Sequence, residues 1–193
     1  MWRVNTVAIA ALAASSLNAK MVPAGTPGIA VCLQLGSKPL LDASLAAATI
    51  FRQIHVNVAW VPMAECVREP DAIQIALSFT TPKAQHPGAL AYAEPYEGTH
   101  IVLMMDRIET TVPSNKQGKL LTYVLIHEIT HILQGVAEHS PTGIMKAHWA
   151  REDHYAMWNG VLSFTPADIQ LIHLGIKARL RRGPRPTLAS AVR

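Results

Sequence analysis

Two periods run along the chain, and where one gives way to the other the predicted elements change from strands to helices. Residues 28 to 36, GIAVCLQLG, are a short apolar run between glycines, the pattern of a buried strand. From Pro39 to His55, PLLDASLAAATIFRQIH sets Leu41, Leu45, Ala48, Ile50 and Phe51 at helical spacing behind a first-turn proline, which predicts an amphipathic helix. VNVAWVP (56 to 62) and DAIQIALSFT (71 to 80) alternate and are rich in β-branched residues, so they read as strands. GALAYAEP (88 to 95) and THIVLMMDRI (99 to 108), joined by a turn at Glu97 and Gly98, read as a short edge strand and a more buried one. After PSNKQGK the pattern turns helical, with Leu121, Leu125, Ile129 and Ile132 on one face and Gly135 placed to stop the helix. A second helix is predicted from about Ala150 to Leu162. A third begins at Thr165, Pro166 and Asp168, which form an N-cap, first-turn proline and capping-box acid, and runs to about Arg181.

Composition narrows this to one mixed α and β domain, because 193 residues, half of them hydrophobic, can bury one full core. The start, MWRVNTVAIAALAASSLNAK, has Arg3, an apolar run from Val7 to Leu12 and small residues around Ala19. It reads as a signal peptide over 1 to 19, since the apolar run is too short for a membrane anchor. The expected domain is 20 to 182, followed by a basic tail over 183 to 193 that Pro184 and Pro186 cut off from the last helix. Losing Arg3 with the leader changes the net charge from +4 to +3. That excess is mild, and the tail lacks interleaved aromatics, so no specific nucleic-acid partner is expected. Cys32 and Cys66 remain in an exported chain, where a single disulfide is the economical reading and two buried free thiols the alternative.

The densest chemistry is HEITHILQGVAEHSPTGIM, residues 127 to 145. On a helix His127 and His131 share a face, so both can point at one ion, and Glu128 lies close enough to reach water beside it. Three polar residues in an otherwise apolar helix are costly to bury without a ligand. His139, beyond the helix-breaking Gly135, supplies a third nitrogen, and a catalytic zinc keeps three protein ligands and one open position. A carboxylate from the next helix, Glu152 or Asp153, is the other candidate for the third ligand. His55, His86, His100, His148, His154 and His173 read as solvated or packed side chains, and Trp149 and Trp158 as core.

The stretch resembles the metzincin zinc metallopeptidases, whose motif runs H-E-x-x-H-x-x-G-x-x-H before a methionine-containing turn. His127, Glu128, His131, Gly135 and His139 fall in that order, and SPTGIM, from Ser140 to Met145, is similar to the serine and methionine turn of the matrixin branch. Gly135 comes one place late and His139 two, so the loop is longer than the family's. The likeness implies a zincin-like α+β fold: a twisted mixed sheet with one antiparallel edge strand, packed on two helices, and a small C-terminal helical subdomain. It implies Zn2+ as cofactor, His127, His131 and His139 as ligands, Glu128 as general base, and a peptide or protein substrate lying along the edge strand 88 to 95. Tyr155 and His148 are the candidates for stabilising the oxyanion. Residues 20 to 27 are too few for an inhibitory prodomain. The expectation is a monomeric endopeptidase without a stable membrane anchor, secreted or periplasmic. A zinc-binding module without turnover, or a structural or interaction protein, is the alternative.

Overall fold

In the computed structural model, which describes residues 28–33, 37–69 and 71–182, five strands form one sheet in the order β2-β1-β3-β5-β4. The leader and tail expected at the two ends lie outside the described residues. β1 (Gly28–Leu33) pairs in parallel with β2 (Asn57–Pro62) and β3 (Ile73–Ser78), and β5 (His100–Met104) continues the parallel set beside β3. Only β4 (Ala91–Ala93) runs antiparallel, at the edge beside β5. That edge was predicted from the short, alternating segment before the apolar run. The strand is shorter than its predicted 88 to 95 because the residues before it turn away as loop.

Helix α1 (Lys38–Gln53) joins β1 to β2. It buries Leu40, Ala43, Ser44, Ala47, Ala48 and Phe51, a three-and-four stripe whose middle is alanine and serine. Leu41 and Leu45, predicted on the buried face, are 42% and 56% exposed. Small residues let the helix lie close to its neighbours, and the larger leucines fall just outside that stripe.

The predicted strand 99 to 108 is really two elements. β5 stops at Met104, and α2 (Met105–Thr111) begins at once, burying Ile108. Asp106, in its first turn, accepts hydrogen bonds from the Thr81 N–H and hydroxyl at 2.9 and 2.8 Å, which turns the chain out of the sheet. A short 3₁₀ turn, Met63–Arg68, follows β2 and carries Cys66. Cys66 is disulfide-bonded to Cys32 of β1 with a Cα–Cα distance of 5.9 Å, so the free-thiol alternative is excluded.

α3 (Ser114–Gln134) packs against α1 and α5 and lies under the β4 edge. Every residue from Leu120 to Leu133 is buried, so the helix is covered on all sides over that span. α4 (Arg151–Trp158) ends four residues before its predicted limit, and α5 (Pro166–Arg182) starts where its cap signals placed it. Arg179 of α5 donates to the carbonyls of Gly98 and Asp71, both at 2.6 Å, and so ties the C-terminal helix to the loops at one end of the sheet.

Candidate metal centre

His127 and His131 are four residues apart on α3 and therefore on one face, and both are under 10% exposed. The helix ends at Gly135, whose φ of 71° is the left-handed conformation that glycine adopts without a Cβ penalty. Its N–H caps the His131 carbonyl at 2.9 Å, and the chain then doubles back, bringing His139 over the same face. The three imidazoles meet. His131 Nε2 lies 3.0 Å from His127 Nε2 and 3.3 Å from His139 Nε2, and the three ligand atoms all lie within 4.8 Å of one another.

The opposite side of two rings fixes where their protons are. His127 Nδ1 is 2.9 Å from the Ile144 carbonyl and His131 Nδ1 is 3.0 Å from the Val136 carbonyl. A carbonyl can only accept, so both Nδ1 atoms carry the proton and both Nε2 atoms present lone pairs to each other. Two lone pairs facing at 3.0 Å repel unless a cation lies between them. Zinc bound to tetrahedral nitrogens at about 2.0–2.1 Å holds them about 3.4 Å apart, so the donor set fits this ion in type, number and spacing. Burial drives the His127 pKa down to about 3, and desolvation also lowers His131 and His139, the last with help from the charge of His148. Each shift favours the neutral ring, the form that ligates.

Glu128 lines the same cavity, of about 440 Å³. It is 7% exposed, and burial alone raises its pKa to about 8. The cavity is floored by Val124 and the histidines and walled by Leu90 to Ala93 of the edge strand. On its far side the loop after Met145 contributes Lys146, Ala147, His148 and Trp149.

Trp149, read from sequence as core, packs against the core and is also part of the site. Its ring stands edge-on to His127 with centroids 5.4 Å apart, and its N–H donates to the Ile144 carbonyl that orients His127. His86 and His154, read as solvated or packed side chains, and His148, offered as an oxyanion candidate, also line the cavity. Nothing in their local spacing announces this, because it depends on how two loops close over α3. Arg107 of α2 holds one of those loops by donating to the carbonyls of His86 and Ala89, both at 2.7 Å. Of the carboxylates weighed as a third ligand, Asp153 is paired with Lys146 at 2.6 Å and accepts from the Ala150 N–H, while Glu152 is exposed; neither joins the three-histidine group. Tyr155 is 75% exposed and does not line the cavity.

Neither a protein-family model nor a curated protein matches the chain. Among solved structures, a crystal structure of archaemetzincin from Methanopyrus kandleri aligns with a TM-score of 0.52 at 14% identity, covering 81% of this chain and 99% of that one. The fold is zincin-like. The mixed sheet with its single antiparallel edge, the helices packed on it and the C-terminal pair α4 and α5 are the architecture that the sequence resemblance implied.

Proposed function

We propose that the protein is a zinc-dependent endopeptidase in which His127, His131 and His139 hold the metal and Glu128 is the general base. The observation that carries this reading is the meeting of three imidazoles, two with their Nε2 lone pairs fixed by carbonyls behind them, beside a buried glutamate that no cation pairs among the described residues. When bound there, zinc supplies Lewis acidity, which makes water a nucleophile near neutral pH and polarises a carbonyl. Glu128 takes the proton from the attacking water and delivers it to the departing amine. A substrate peptide adds to the outer edge of β4, whose inner edge is taken by β5, and the cavity beside β4 receives a side chain. His148, which lines the cavity, is better placed than Tyr155 to donate to the developing oxyanion.

A zinc module without turnover has no use for Glu128 in this place. In this reading residues 20 to 182 are the working domain, the matrixin-like loop is lengthened between Gly135 and His139, and residues 1 to 19 direct export to a secreted or periplasmic location. The Cys32–Cys66 bond suits an oxidising compartment. The protein acts as a monomer on peptide or protein substrates, without nucleic acid or a membrane anchor.

The test pairs metal content with hydrolysis of an unfolded protein substrate. Glu128→Gln should keep one zinc and lose hydrolysis by about 10²- to 10⁴-fold, the usual worth of a positioned base. His139→Ala should lose zinc, while Glu152→Ala and Asp153→Ala keep it. Parent-level cleavage by Glu128→Gln, or a full zinc complement in His139→Ala, removes that residue from its role.

A further inference from the structure

Asp168 is only 1% exposed, and the proposed reaction does not use it. It sits in the first turn of α5, where Oδ2 accepts the Thr165 N–H at 3.0 Å and hydroxyl at 2.7 Å, while its own N–H reaches the Thr165 hydroxyl at 3.1 Å. Those bonds make an ordinary helix cap, and an ordinary cap does not need burial. The second oxygen is what differs. Oδ1 accepts a hydrogen bond from Ser140 Oγ at 2.5 Å, and Ser140 is the residue directly after His139.

Burying a carboxylate costs several kcal/mol unless a positive charge offsets it. The N-terminus of α5 contributes only about half a charge. Among the described residues no lysine or arginine is buried, and none of the three ion pairs includes Asp168. Among the described residues the buried acids are two, Glu128 and Asp168, and the negative charge of Asp168 acts on His127. Three neutral histidines around a bound dication would leave two positive charges, which these two carboxylates would balance.

The loop between them is stiff enough to carry the coupling. Ser140 N–H donates to the Met145 carbonyl at 2.8 Å, and Ile144 N–H donates to the Ser163 carbonyl at 3.0 Å, two residues before the cap. The Ile144 carbonyl in turn orients His127. One short segment thus touches two ligands and the start of α5.

We propose that Asp168 is a positioning residue for the metal: it supplies the second buried counter-charge, and through Ser140 it holds the His139 loop over the other two ligands. The proposal rests on the zinc reading above. Charged and hydrogen-bonded groups behind metal ligands typically contribute 10- to 100-fold to affinity.

The experiment is a zinc competition against a chromophoric chelator at neutral pH, with the melting temperature of each metal-free variant measured alongside. Asp168→Asn and Ser140→Ala should each bind zinc about 10- to 100-fold more weakly than the parent. Thr165→Ala, which weakens the cap but keeps the carboxylate and its bond to Ser140, should lower the metal-free melting temperature and leave zinc affinity within about 3-fold, a cap alone having no reach to the metal. Should Asp168→Asn fail to fold, Ser140→Ala decides, since it leaves the cap intact. Parent-like affinity in Ser140→Ala, or an equal loss in Thr165→Ala, overturns the proposal while leaving the zinc site standing. A parent that binds no zinc overturns both.

Discussion

In the metal-free protein His127 and Glu128 give stability opposite dependences on pH. The folded His127 pKa of about 3 lies below its ordinary 6.5, so between those values the unfolded chain binds a proton that the folded chain refuses. Its contribution is complete above pH 6.5 and is lost as the pH falls from there, and the lowered His131 and His139 act in the same sense. Glu128 is raised from 4.5 to about 8, so its contribution is complete below 4.5 and is lost as the pH rises through 8. Just below 6.5 all three histidines act against the one glutamate, and of these four groups only the glutamate acts above it. Thermal melts in chelator should therefore peak near pH 6.5, and Glu128→Gln should flatten the alkaline side. An alkaline decline that persists unchanged in Glu128→Gln rules out this origin. The three-histidine cluster was legible because helical spacing and a glycine stop are local rules. The contact of Trp149 with His127 and the Ser140–Asp168 bond were not, because they arise where segments distant in sequence meet.

Three glycines show how elements are held around the centre, and they separate conformational need from steric need. A Cβ on Gly175 of α5 would sit 1.7 Å from the Leu133 carbonyl oxygen of α3, so this crossing exists only because the side chain is absent. Gly143 combines a φ of 76° with a Cβ position 2.5 Å from the Ser163 carbonyl oxygen. Gly135 has a φ of 71° but open space around it. Urea unfolding should rank the alanine variants accordingly. Gly135→Ala costs about 1 kcal/mol of left-handed strain, whereas Gly175→Ala forces backbone apart and costs about 3 kcal/mol, with Gly143→Ala paying both kinds of penalty. Equal losses at Gly175 and Gly135 contradict the close crossing of α3 and α5. The cap of α5 and the stop of α3 were readable because serine, threonine, proline and glycine signals act within a turn. The face of α1 was misjudged because large leucines drew the eye from an alanine stripe, and α2 was hidden inside an apolar run with no polar break before Asp106.

For the molecule as a whole, the metal centre and the disulfide belong to different parts of the core. Cys32, Cys66 and Ala72 form a small cluster of their own, apart from the large cluster that contains α3 and the methionine turn. The bond closes a loop with a sequence separation of 34, and in the chain-entropy account it stabilises the fold by about 3–4 kcal/mol by restricting the unfolded state. The three clustered histidines lie on α3 and its following loop, which belong to the large cluster and not to that one. Replacing both cysteines by serine should therefore lower urea stability by about 3–4 kcal/mol while leaving zinc affinity at the parent value. Cys32 is fully buried, which shields the bond in the folded chain, and the oxidising compartment proposed for the protein suits it. Expression with the full leader into such a compartment should yield protein whose non-reduced mass corresponds to a start at Lys20 with no alkylatable thiol. Two alkylated cysteines on an exported, folded chain, or a retained leader, counts against export as the setting in which this fold is completed.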